Sequence, residues 1–288
     1  MGNLMNRARN KLYTQVDDNK SEYHPTKTIS YPAKTSGTGK QMRRLFGFAL
    51  IIFLMFGCSG SSDTTMMNAD EHLAYAMEMY EDEDFQYSTR EFQSIILQFP
   101  GNTVNDDAQY YLAMSYFYDD QFLLAAYEFS KLIRDIKGSE YVSKSQFMLA
   151  ESYYQLSPPY QLEQSYTKKA ITEFQAFIDF FPIDGQVEEA ERKIHELNLK
   201  LAEKLYNSAR IYEKMEYYNA SLDYYTRVYE TYHDTEYAPI ALHRKITILM
   251  DKERFALAVE GMKIFISRYP ESEYFSEMQN LYDEMSFD

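Results

Sequence analysis

From Asn68 onward, apolar residues recur every three to four positions, the period of helices that bury one face. Leu73, Ala76 and Tyr80 form one stripe, Tyr111, Leu112, Ser115 and Tyr116 a second, and Leu149, Ala150 and Tyr153 a third. Breakers interrupt the rhythm, so the pattern predicts hairpins of paired helices over roughly 69–100, 104–137, 140–182, 185–233 and 236–270. A closing helix over 272–286 and a single long helix over 185–213 complete it. Upstream stands the only sustained apolar run, LFGFALIIFLMF from Leu45 to Phe56. Its 12 residues make a helix of about 18 Å, short of the ~20 residues a bilayer span needs.

A small residue followed four later by a larger one recurs along the helical part: Ser88 with Phe92, Ala125 with Phe129, Ala170 with Phe174, Ala220 with Tyr224, and Ala258 with Met262. Pro100, Pro182 and Pro270 follow the first, third and fifth pairs by eight residues. GSEYVSKS, DTEYAPIA and ESEYFSEM restart the pattern at Gly138, Asp234 and Glu271. A small residue lets two helices approach, an aromatic one turn on fills the groove, and proline stops the second helix. A Ser or Thr beside Glu is expected to cap the next. The spacing resembles the tetratricopeptide repeat. The fold expected is all-α: a tetratricopeptide-repeat solenoid of about five helical hairpins plus a C-terminal capping helix.

Composition narrows the picture. Only 10 Gly and 8 Pro in 288 residues make a β-sandwich or a Gly-loop nucleotide fold improbable, and a charge of −15 argues against nucleic acid. One cysteine excludes a disulfide framework and a cysteine-based zinc cluster. That cysteine, Cys58, stands between the apolar run, with Arg43 and Arg44 before it, and a polar stretch, SGSSDTTMMN. Basic start, short apolar stretch and a small residue at the cut describe a secretory signal. LMFGCSG resembles a bacterial lipoprotein box with Met55 in place of the usual Leu, which makes Cys58 the lipidated first residue of the mature chain. The regions expected are 1–41 as an over-extended or disordered start, 42–57 as signal peptide with Met42 as true initiator, and 58–68 as tether. Repeats 1–3 follow over 69–183, and repeats 4–5 with the capping helix over 184–288. Cys58 to Asp288 keeps 20 of the 29 basic and 41 of the 44 acidic residues, a net −21. Anionic headgroups repel such a surface, so attachment must come from several acyl chains. Ser59 after the cysteine, with no Asp there, points to the outer membrane.

The third hairpin carries an insertion: Tyr153 to Ala170 spans 17 residues where Tyr116 to Ala125 spans 9. Pro158 and Pro159 forbid helix there, so a loop is expected to project from the edge. Lipobox, spacer, five repeats, this Pro-bearing loop with a Gln/Thr-containing helix start, and a long fourth segment resemble the BamD family. These are the tetratricopeptide lipoproteins of the outer-membrane β-barrel assembly machinery. The resemblance implies a periplasmic scaffold, lipid-anchored to the outer membrane, whose partners are a BamA-like barrel protein, other subunits of the machine and unfolded outer-membrane proteins. It also implies that Lys200, in LKLAEK, contacts that barrel protein. The family usually has Arg there, whose planar fork a lysine lacks.

Repeat arrays bind extended or helical peptides, and Tyr75, Tyr110, Tyr111, Tyr118, Phe122 and Tyr153 of the first three repeats could line an aromatic groove. Taken one at a time, such aromatics more often pack the hairpins. EDED, Glu81 to Asp84, reads as a solvated turn. No HExxH, GxxxxGK, GxGxxG or GxSxG occurs, and His24, His72, His195, His233 and His243 are scattered, so neither an enzyme nor a cofactor or metal is expected. Two other envelope classes stay open. A SusD-like glycan-binding lipoprotein is disfavoured by the absence of Trp, and a Tol-associated coordinator by the presence of Cys58.

Overall fold

The computed structural model describes residues 67–286. The apolar run, Met42 and Cys58, with the expectations attached to them, lie outside the described residues. Within them the chain forms eleven α-helices and no strand: α1 (Ala69–Glu81), α2 (Phe85–Gln98), α3 (Asn105–Tyr118), α4 (Phe122–Asp135), α5 (Val142–Gln155), α6 (Ser165–Phe180), α7 (Val187–Lys214), α8 (Tyr218–Thr231), α9 (Tyr237–Asp251), α10 (Phe255–Arg268) and α11 (Phe275–Ser286). Successive helices pack on one another throughout, giving five hairpins and the closing α11 of a tetratricopeptide-type solenoid.

The small-then-large pairs hold the hairpins together. Ser88 and Phe92, Ala125 and Phe129, Ala170 and Phe174, and Ala258 and Met262 are all completely buried. Ser88 satisfies its hydroxyl against Ser115 Oγ of α3 at 2.8 Å. The fourth pair corrects the sequence reading by one residue. Ala220 and Tyr224 are only half-buried, whereas Ser221 and Tyr225 are fully buried. Ser221 is the fourth residue of α8, as Ser88, Ala125 and Ala258 are of their helices. In α10 the approach to α9 is closer still: a Cβ on Gly261 would stand 2.9 Å from Ile246 Cγ1.

Two kinds of turn repeat. Inside hairpins one, two, four and five, the residues Glu83, Asp120, Glu216 and Glu253 take left-handed φ of 57–62°. The next amide donates five residues back, as Asp84 to Met79 O at 2.9 Å and Arg254 to Leu249 O at 2.8 Å. This closes each first helix with the paired bonds of a Schellman motif, without the usual glycine. EDED occupies the first of these turns. Between hairpins, Asn102, Ser139, Asp184 and Ser272 accept the backbone N–H two residues ahead at 3.0–3.3 Å. Ser139 and Ser272 of the restart signatures therefore act in the turn, and Thr235 there donates to the Tyr232 carbonyl at 2.7 Å. The residue directly before each of α2 to α10 makes no side-chain cap, contrary to expectation.

The core comes in segments, each shared between a hairpin and its neighbour. The third segment, with Phe147, Ala170, Phe174 and Phe177, ends on Ala190 and Leu197 of α7. The last begins on Ala202 and Ala209 of the same helix and runs through α8–α11. The 28 residues of α7 thus thread two cores. A buried ion pair reinforces the first half of that helix: Lys193 Nζ lies 2.8 Å from Glu151 Oε2 of α5 and 4.1 Å from the Tyr154 ring centroid.

Candidate partner-binding surface

The third hairpin is the one whose turn is replaced by an insertion, and its residues build a polar network against α7. Lys200 Nζ donates to Ser157 Oγ at 2.9 Å, Ser157 pairs with Thr167 Oγ1 at 2.6 Å, and Thr167 donates to Gln164 Oε1 at 2.7 Å. Gln164, almost fully buried, turns its amide back to the carbonyls of Pro159 (2.8 Å) and Leu162 (3.0 Å). One turn along α7, Lys204 Nζ reaches the carbonyls of Leu162 at 2.7 Å, Tyr160 at 3.1 Å and Gln161 at 3.3 Å. Prolines 158 and 159 donate no backbone hydrogen bond, so the loop meets its polar demand through these side chains. The loop does not project freely: it lies strapped to α7. The sequence showed that a loop must exist and singled out Lys200 for a partner contact; its hold on the loop, and Lys204 altogether, were missed, because contacts 42–44 residues apart leave no local pattern.

Lys200 is half-buried, and its ammonium is engaged by Ser157. The aromatic residues divide. Tyr110 stacks on Tyr141 at 4.4 Å and meets Tyr111 edge-on at 5.3 Å, and Tyr111 meets Tyr80 at 5.2 Å. Tyr80 in turn lies 6.1 Å from Tyr118, which stacks on Phe85 at 5.4 Å and touches Phe117, the ring against which Phe122 packs. Four of the six named rings thus belong to one chain of contacts through the first two hairpins. Tyr153 stands apart, stacked on Tyr166 with Lys169 over both rings, and Tyr75 is half-buried on α1. Of the six, Tyr118 alone is exposed. Burial, helped by the neighbouring Tyr111 and Tyr118, pushes the Tyr110 hydroxyl up to about 12. The rings pack hairpins first and offer an accessible edge at Tyr118.

A cleft of about 330 Å³ opens beside the strapped loop, lined by Tyr160, Lys204, Asn207, Ser208, Arg210 and Lys214, among others. Among the described residues no cluster of His, Cys, Asp or Glu could hold a metal ion, and no helix is long and apolar enough to cross a membrane.

The chain matches the family described as outer membrane lipoprotein, YfiO, over residues 66–253. Among curated proteins none matches. Similar solved structures include the TPR2AB domain of yeast Sti1 in its pHsp90 complex, with 13% identity, 76% of this chain and 98% of that one covered, and a TM-score of 0.35. A tetratricopeptide repeat protein from Parabacteroides merdae has 12% identity, coverage of 76% and 73%, and a TM-score of 0.34. A thermophilic tetratricopeptide protein from Thermus thermophilus has 13% identity, coverage of 77% and 100%, and a TM-score of 0.32. The family match covers most of the chain and contains four of the five hairpins, the strapped loop and all of α7. The chain belongs to the YfiO family of outer membrane lipoproteins.

Proposed function

We infer that the protein is a non-enzymatic scaffold of the outer-membrane β-barrel assembly machinery. It is anchored by acyl chains on Cys58 to the periplasmic face of the outer membrane. It works by surface complementarity: its hairpins hold a BamA-like barrel protein and other subunits of the machine, and they receive unfolded outer-membrane proteins. The observation that carries this reading is the family match over residues 66–253, which spans the hairpin array and the strapped loop. The exposed Tyr118, within its ring chain, suits transient contact with aromatic-bearing precursor strands, because tyrosine offers apolar area and a hydroxyl at small entropic cost. Depleting the protein should lower the amount of folded barrels at constant precursor synthesis. Unchanged folded-barrel levels after full depletion overturn the reading.

A further inference from the structure

The three most exposed large apolar side chains among the described residues are Ile183 at 98%, Leu97 at 80% and Phe180 at 74%. None of them packs into a core segment. All three lie at one edge of the array: Leu97 in the last turn of α2, Phe180 at the end of α6, and Ile183 in the turn that follows. The two helices of a hairpin run in opposite directions, so the same edge holds the start of each first helix. Contacts knit this edge together from the first hairpin to the third. His72, in the first turn of α1, meets the Phe99 ring at 6.4 Å, and Asn105 donates to the Phe99 carbonyl at 3.0 Å. Ser139 and Tyr141 donate to Asp106 and Asp107 at 3.1 and 2.7 Å, and Ser143 donates to Asp184 at 2.6 Å. Because α1 begins here, Met67 stands at this edge, and the chain from Cys58 to Met67 spans at most about 32 Å. The opposite edge, where Tyr118 lies, is a further helix length from the anchor, about 20 Å for the 13 residues of α1.

We propose that this edge is a second membrane contact: Ile183, Phe180 and Leu97 dip into a zwitterionic lipid surface beside the acyl anchor and lay the first three hairpins along it. Apolar side chains of this size gain by leaving water for the headgroup–acyl boundary. A short tether makes even a weak contact effectively intramolecular, at about millimolar local concentration. Charge selects the kind of lipid. The exposed carboxylates Glu140, Asp179 and Glu188 outnumber the exposed Lys137 and Lys144 at this edge, so neutral headgroups are accepted and anionic ones repelled. The contact deepens the scaffold reading and rests on it for the acyl anchor at Cys58.

The test reconstitutes the full lipidated chain in vesicles of phosphatidylcholine and phosphatidylethanolamine that carry a trace of lipid with a photoactivatable acyl chain. Cross-linked peptides are then mapped by mass spectrometry. Cross-links are expected on the peptides that hold Leu97 and Phe180–Ile183, and not on the one that holds Leu257, an exposed apolar residue of α10. Leu97→Ser/Phe180→Ser/Ile183→Ser should lower the yield on those peptides at least about tenfold, the loss set by even one such side chain leaving the interface. Leu257→Ser should leave it unchanged. All replaced residues are exposed, so an unchanged melting temperature certifies each variant's fold. Exchanging part of the lipid for phosphatidylglycerol should lower the yield as well. Equal labelling of the edge and of Leu257, an undiminished yield from the triple variant, or a higher yield with phosphatidylglycerol would overturn the proposal. So would a triple variant that keeps its lipid cross-links but loses an envelope protein the wild type co-purifies, since the edge would then be a protein interface. Flotation separates the edge from the anchor. A wild-type chain that does not float with the vesicles removes the acyl anchor, and the same chain coupled through its one cysteine to a maleimide lipid still reports on the edge.

Discussion

Ser221 and Ala220 are neighbours in YNASLDYY, where two small residues precede a run of aromatics, and either could fill the hairpin contact. Spacing fits Ala220 with Tyr224 and Ser221 with Tyr225 equally; the structure buries Ser221 and Tyr225, with the Tyr225 hydroxyl 2.7 Å from Glu213. The other pairs were legible because a neighbouring small residue lacks a large partner: Ala126, beside Ala125, has Ser130 four positions on, and Thr89, beside Ser88, has Gln93. A bulky side chain at Ser221 must overpack the approach of α8, so Ser221→Leu should cost about 1–3 kcal/mol. Ala220→Leu, on a half-buried position, should stay within about 0.5 kcal/mol. Denaturant titration of the two variants decides between the registers, and equal losses would contradict the one described. A second residue-scale test concerns the left-handed turn at Glu253. The conformation costs an L-residue about 1–2 kcal/mol, part of which glycine returns as chain entropy. Glu253→Gly should therefore raise stability by up to about 1 kcal/mol, and a clear loss in the same titration would count against the turn.

Helix α7 gathers the features that periodicity could not order. Its length was legible from the missing breakers between 185 and 213, and the insertion from the two prolines. The contact between them was not, because it depends on lysine stems crossing from one element to backbone carbonyls of another. The Glu151–Lys193 pair also ties α5 to α7 out of sight of any local pattern. Both side chains are about nine-tenths buried, with Glu189 as a weaker second partner of Lys193 at 3.7 Å. Removing one charge strands the other, so Glu151→Gln should cost about 3 kcal/mol. Replacing both by leucine should recover most of that loss. Melting curves of the single and double variants measure the coupling; a single variant as stable as the wild type would mean the pair is solvated.

At the scale of the whole molecule, 28 tyrosines set the response to alkali. Burial heads the causes that push Tyr110, Tyr154 and Tyr274 up to about 12, with the carboxylates Glu196 and Glu273 adding to the second and third. Tyr80, Tyr141 and Tyr225 are raised in the same sense. In the unfolded chain tyrosine ionises near about 10, so the folded state holds these protons more tightly. Their contribution is complete below about pH 10 and is lost as pH rises toward about 12. Melting temperature should fall steeply across that window, and a flat profile would contradict the burial described. The hairpin array itself was readable because burial of one helix face imposes a period that short connections repeat. The function rests on which surfaces meet which partners, and that question belongs to the assembled envelope. Affinity purification of the tagged full chain from detergent-solubilised membranes, followed by identification of what accompanies it, puts it directly. The account predicts a large barrel protein with periplasmic domains in fixed proportion to the chain. A preparation that carries polysaccharide-binding or division-associated partners and no barrel protein would contradict it.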